Sequence, residues 1–184
     1  MKKTIIINIL GGPGVGKTTI ANEIFVNLKK MGKDVEAVSE FAKELVWEKR
    51  NEAFDDRLYM HAEQNHRLMM MNGNLDYIIT DSPLILTSIY NKFYLKDKFP
   101  KSYNKMIDEM TMQTWNLYNN QTFYIERKVD YNTLGRRESE TEALQIDKRI
   151  KKYLSDNKIN YHKIVDRDDA AKQILSIILE DLHQ

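Results

Sequence analysis

The stretch "GGPGVGKTT", residues 11–19, follows the apolar run "TIIINIL" of residues 4–10 and precedes "IANEIFVNLKKMG" of residues 20–32. It fills the pattern G-x-x-x-x-G-K-[ST] with Gly11, Gly16, Lys17 and Thr18, and Gly12 and Gly14 add conformational freedom inside it. The β-branched and apolar run before the loop predicts a strand covered on both faces, as in a parallel sheet. After the loop, Ile20, Ile24 and Leu28 recur at helical spacing until Gly32 ends the helix. Strand, glycine loop and helix in that order aim backbone N–H groups and the positive end of a helix at one point, an anion site built from backbone alone. Gly12, Pro13, Gly14, Val15, Gly16, Lys17, Thr18 and Thr19 are therefore the candidate phosphate cradle. Within it Lys17 reaches terminal phosphates, and the Thr18 hydroxyl joins the shell of a magnesium ion that keeps several waters.

The alternation of strand and helix continues along the chain. "DVEAV" at 34–38, "LDYIIT" at 75–80, "TFYIE" at 122–126 and "YHKIV" at 161–165 read as four further strands. Between the second and third lie "EFAKELVWEKR" and "DDRLYMHAEQNHRLMMMN", helical patterns closed by Gly73. Tyr103, Met106, Ile107, Met110, Thr114 and Leu117 repeat at three and four residues and predict one buried helix face, with its methionines in the core. Ala171, Ile174, Leu175, Ile178 and Leu182 stripe a last amphipathic helix. No repeat, linker or low-complexity segment interrupts the pattern, so residues 1–184 are expected to form one α/β domain on a parallel sheet.

Composition excludes several classes of function. With 42% apolar and 30% charged residues the chain can bury a core, and a net charge of +1 gives no strong field toward nucleic acid or a membrane. The absence of cysteine removes disulfides, thiolate nucleophiles and thiolate zinc sites, and it fits a reducing interior, so a cytoplasmic protein is expected. The first apolar run is too short to span a bilayer. His61, His66, His162 and His183 have no metal-ligand spacing, which argues against a transition-metal enzyme.

Three other stretches bear on where a bound phosphate goes. Glu40 follows the second strand and is expected at the carboxyl edge of the sheet, where a carboxylate can take a proton from a hydroxyl or hold a ribose; the same position also suits a first-turn helix acid. Asp81, in "DYIITDSP", ends the third strand, a place from which a carboxylate serves magnesium or its waters, or merely caps a helix. Finally, "ERKVDYNTLGRRESETEALQID" carries Arg127, Lys128, Arg136 and Arg137 between the fourth strand and a helix starting near Glu140. Residues 127–140 are expected to form a basic lid whose Arg136 and Arg137 neutralise charge during transfer.

With these residues placed, the chain resembles P-loop kinases of small molecules, most closely the AAA-type ATPase and kinase family that includes the nicotinamide riboside kinase domain of bacterial NAD-salvage proteins. "GGPGVGKTT", "VSEFAKEL" and "IITDSPL" carry the resemblance across the first half, and "LGRRESETEALQID" carries it loosely in the second. It implies a P-loop three-layer sandwich with a five-stranded parallel sheet of order 2-3-1-4-5, ATP with magnesium, and a lid before the last strand. It also implies catalytic roles for Lys17, Glu40, Asp81, Arg136 and Arg137, with Thr18 and Asp81 on the metal. Such small proteins are frequent in phage genomes, which makes a phage source an expectation. By the same resemblance Gln64 reads a nucleobase on the acceptor side with Glu40, Phe41 and Arg67, although a solvated glutamine suits that position equally. Phe41 and Trp47 could stack on a base, while core packing is the commoner use of such aromatics. Ser82 stands where an arginine after the strand-end aspartate is common in the family.

The leading expectation is a kinase passing the γ-phosphoryl of ATP to a nucleoside, nucleotide or related ribosyl compound, and a homodimer is compatible with it. Two alternatives stay open: a kinase acting on a hydroxyl of modified DNA, through the basic "KFYLKDKFPKSYNK" of residues 92–105, and a slowly hydrolysing ATP-gated regulator. A GTPase switch is disfavoured because "DSPL" lacks the glycine of its third-strand motif and "NKFY" is no guanine reader. An oligomeric ring ATPase normally needs more chain than this.

Overall fold

The computed structural model describes residues 3–128 and 138–180. Five strands, β1 (Ile5–Leu10), β2 (Val35–Val38), β3 (Tyr77–Thr80), β4 (Asn119–Ile125) and β5 (His162–Ile164), form one parallel sheet in the order β2-β3-β1-β4-β5. The order agrees with the resemblance. The connecting helices are α1 (Lys17–Lys30), α2 (Phe41–Trp47), α3 (Arg57–Met69), α4 (Leu86–Tyr90), α5 (Lys101–Trp115), α6 (Glu140–Asp156) and α7 (Ala170–Glu180). Short 3₁₀ and π turns, Asn51–Asp55 and Asn91–Leu95, precede α3 and extend α4.

Strand β1 is central, which explains why its sequence does not alternate. Ile7 and Ile9 face α1 and α7, Ile6 and Leu10 face α4 and α6, and all four are fully buried. The one polar interruption, Asn8, is also buried; its amide donates to Asn120 Oδ1 at 3.0 Å, so the group is satisfied on the neighbouring strand. Burying each isoleucine contributes about 2 kcal/mol of transfer free energy, and the paired faces fix the register of the sheet.

The final helix buries Ala170, Ala171, Ile174, Leu175 and Ile178, as expected, while Leu182 lies outside the described residues. In α5 the expected face holds at Ile107, which is fully buried, and fails at its edges. Met106 is 44% exposed and Leu117, just beyond the helix, 67% exposed. The buried stripe is Ile107, Thr111 and Trp115, spaced at four residues and one position away from the Met106 row. The large Trp115 ring is what the core takes up. Trp47, at the end of α2, is likewise exposed rather than packed.

His61 is buried in α3 between α4 and α5, with Nδ1 3.1 Å from Thr87 Oγ1 and Nε2 2.8 Å from Thr114 Oγ1. Burial pushes its pKa down from 6.5 to about 4. The folded pKa lies below the unfolded one, so the unfolded chain takes up the proton first as pH falls. Stability is then complete above the unfolded pKa and declines between that value and about 4. The loss should reach about 2 kcal/mol once residual solvent screening is allowed for. Thermal unfolding at steps from pH 7 to pH 4.5 should show the melting temperature of the native chain falling more steeply than that of His61→Gln; parallel curves would remove this role.

Candidate functional site

The carboxyl ends of β1, β2, β3 and β4 all open on one edge of the sheet, on either side of β1 where the winding direction reverses. The phosphate loop leaves β1 at this edge and turns into α1. Gly16 caps α1 with φ 95°, and Gly14 has φ 84°, left-handed conformations that strain any residue with a side chain. The first turn of α1 has neither a side-chain cap nor an acidic residue of its own, so the positive end of its dipole faces the loop. Lys17 Nζ donates to Gly12 O at 3.0 Å and thus folds back over the loop.

Asp81 follows β3 directly. The Thr18 hydroxyl donates to Asp81 Oδ2 at 2.5 Å, joining the first turn of α1 to the third strand. Asp81 is buried, and its Oδ1 has no hydrogen-bond partner among the described residues. Glu40 occupies the N-cap position of α2 but its side chain makes no cap bond. It faces the same space: burial raises its pKa, the attraction of Lys17 opposes that rise, and the negative charges of Asp81 and Glu138 add to it. Lys17, Asp81 and Glu138 thus lie within electrostatic reach of Glu40.

Where α4 runs into the π turn, Tyr90 stacks on Tyr94, centroids 6.1 Å apart, and Tyr94 Oη donates to Glu138 Oε1 at 3.2 Å. Burial lifts the Tyr90 hydroxyl well above its usual pKa, with Glu138 and Glu40 adding to the effect and Arg57 opposing it. Glu138 immediately precedes Ser139, which opens α6 with a capping box to Glu142.

The remaining sequence candidates sit behind Glu40. Gln64 is buried, its Oε1 accepting from the Phe41 N–H at 3.2 Å and its Nε2 donating to Thr80 Oγ1 at 3.4 Å. Its amide therefore ties the start of α2 to the end of β3. The Phe41 ring packs edge-on to Tyr59 and carries the Arg67 guanidinium 5.0 Å from its centroid, while Arg67 makes a two-pronged pair with Glu44 at 2.7 Å. Phe41, Gln64 and Arg67 together form a wall that holds α2, and Glu40 at its start, against the sheet. Arg136 and Arg137, and residues 129–137 of the expected lid, lie outside the described residues.

Sequence reasoning overlooked two groups at the loop. Asp147, in α6, accepts from the Gly12 N–H at 2.8 Å and from Arg127 Nε at 2.6 Å. Its signal was present, since it interrupts the apolar stripe of Ala143, Ile146 and Ile150. Arg167 lies before α7, and its Nε would be 2.8 Å from a β-carbon placed on Gly16. No local pattern marks it.

The AAA domain family matches residues 6–171 of the chain. No curated protein matches the sequence. Among solved structures, the NadR protein in complex with NAD and AMP-PNP superposes with a TM-score of 0.71 at 15% identity, over 95% of this chain and 49% of that one. The NadR protein in complex with NR gives 0.66 at 16% identity, over 89% and 44%. The chain thus spans about half the length of the NadR chains. Deoxyadenosine kinase from M. mycoides with bound dATP gives 0.59 at 22% identity, over 97% of this chain and 100% of that one. These likenesses establish that the chain shares its fold with the NadR protein and with this deoxyadenosine kinase. No helix among the described residues is long and apolar enough to cross a membrane.

Proposed function

The chain belongs to the AAA domain family, and we propose that it is an ATP- and magnesium-dependent kinase that transfers the γ-phosphoryl group to a hydroxyl of a nucleoside or related ribosyl compound. One observation carries the reading: Lys17, the Thr18–Asp81 pair and Glu40 converge at the edge of the sheet where the phosphate loop opens. The loop and Lys17 would hold the triphosphate. The Thr18 hydroxyl and Asp81, whose buried Oδ1 has no hydrogen-bond partner among the described residues, fit a hard cation that takes oxygen ligands. Magnesium bound there would neutralise phosphate charge as the bond to the leaving oxygen breaks. Glu40 would accept the acceptor's hydroxyl proton, and Arg136 and Arg137 are proposed to close on the transferred group.

The acceptor side favours a hydroxyl over a phosphate. Glu40, Glu138 and the phenols of Tyr90 and Tyr94 can receive and donate hydrogen bonds to a sugar, whereas two carboxylates oppose a second phosphate. On this reading Phe41, Gln64 and Arg67 contribute to the acceptor site as the wall that fixes Glu40. The structural neighbours support the reading through what they hold, NR in one and nucleotides in others. The basic stretch at residues 92–105 is a weaker candidate for a polynucleotide, since Lys92 pairs with Asp108, Lys98 with Asp55 and Lys105 with Glu109.

Incubation with γ-labelled ATP and magnesium, with separate pools of nucleosides, nicotinamide riboside, nucleoside monophosphates and DNA oligomers, tests the proposal. Label is expected in a nucleoside or ribosyl pool. Label released only as free phosphate would overturn the kinase in favour of an ATP-gated regulator, and label in DNA or a monophosphate would replace the acceptor class.

A further inference from the structure

The phosphate loop is gripped at two consecutive residues, Gly12 and Pro13, by a buried ion pair. Asp147 Oδ1 accepts from the Gly12 N–H at 2.8 Å, Asp147 Oδ2 accepts from Arg127 Nε at 2.6 Å, and Arg127 Nη2 donates to Pro13 O at 2.7 Å. The circuit Gly12, Asp147, Arg127, Pro13 is closed, and both charged side chains are only 11% exposed. It depends on glycine, since a β-carbon on Gly12 would lie 2.2 Å from Asp147 Oδ1.

We propose that Asp147 is a positioning residue for the phosphate loop and that Arg127 serves as its counter-ion, so that the pair sets nucleotide affinity. The proposal rests on the ATP reading of the loop. Two opposed effects meet in this circuit. Holding Gly12 and Pro13 in one geometry removes freedom that the loop would otherwise lose on binding, which favours affinity. A carboxylate set against an anion site, however, repels the ligand that the loop is built to hold. Arg127 cancels that charge at the carboxylate itself, and its second nitrogen finishes the grip on Pro13. The grip reaches the loop without electrostatic cost only while no carboxylate charge is left unbalanced beside it. The same circuit joins the exit of β4, which carries Arg127, to α6.

The two effects predict an unusual pattern among variants. Arg127→Gln leaves the carboxylate uncompensated beside the phosphates and should weaken binding of AMP-PNP with magnesium by about tenfold or more. Adding Asp147→Asn removes the charge while an amide oxygen remains for the Gly12 N–H, so the double variant should return to within about threefold of the native chain. Arg127→Lys keeps a cation beside Asp147 but loses the fork that reaches Pro13, so its affinity should fall between those of Arg127→Gln and the native chain, a second route if Arg127→Gln does not fold.

Isothermal titration with AMP-PNP, beside thermal unfolding of each variant, makes the test. Recovery in the double variant supports the proposal. A double variant as weak as Arg127→Gln would overturn it, as would variants that lose thermal stability but bind with native affinity, the mark of a merely structural pair. A native chain that fails to bind AMP-PNP would overturn the ATP reading and this inference with it, an outcome distinct from the other two.

Discussion

Lys17→Met is expected to lower phosphoryl transfer about a thousandfold or more while the chain stays folded. The ammonium sits over the phosphate loop, bonded to Gly12 O at 3.0 Å, where it can follow charge that develops on the transferred oxygens. Removing one preorganised donor of that kind typically reduces turnover by about two to three orders of magnitude, and here a full positive charge is lost as well. The fold should tolerate the change. One hydrogen bond to a backbone carbonyl contributes about 1 kcal/mol, equivalent to a shift of a few degrees in melting temperature for a domain of this size. Steady-state assay with the acceptor found by the labelling experiment, together with a thermal melt, checks both halves. Turnover within tenfold of the native rate would remove Lys17 from the chemistry; loss of the folded state would assign it to the scaffold instead.

The loop was legible in the sequence because its physics is local. The spacing of Gly11, Gly16, Lys17 and Thr18 imposes a turn whose left-handed positions only glycine fills easily, and the flanking strand and helix announce themselves by period. The order of the sheet was not readable from period at all and came from the resemblance to a family. The α5 face failed at its edges because neighbouring rows on a helix share nearly the same spacing, and hydrophobicity alone could not favour Thr111 and Trp115 over the Met106 row. Gln64 shows a further limit. A glutamine on a helix can read a ligand or brace a wall, and the choice depends on the Phe41 N–H and Thr80 hydroxyl, which the fold brings to it. Asp147 reaches Gly12 from 135 positions away, so its meaning was invisible until the sheet had closed, although an acid on an apolar stripe was the clue.

For Glu40→Gln, rate and stability should move in opposite directions. A general base contributes roughly two to four orders of magnitude, so transfer should fall by about a hundredfold or more while AMP-PNP affinity stays near native. The native rate should also fall as pH drops through the Glu40 pKa, because only the ionised carboxylate takes a proton, and this acid limb should vanish in the variant. Burial raises that pKa above its ordinary value of 4.5, against the pull of Lys17 and with repulsion from Asp81 and Glu138. A folded pKa above the unfolded one means that the native state gives up its proton less readily than the unfolded chain does, so ionisation at neutral pH works against folding. Glutamine removes that penalty, and the variant should melt at a higher temperature than the native chain at pH 7. Below the ordinary carboxylate pKa both states of the native chain are protonated and the advantage should disappear. An acid that merely starts a helix would give the reverse, since replacing it weakens the interaction with the helix dipole and leaves the rate alone. Parallel measurement of kcat and melting temperature across pH therefore separates a carboxylate placed for chemistry from one placed for α2: slower and more stable supports the base, unchanged rate with lower stability assigns Glu40 to the helix.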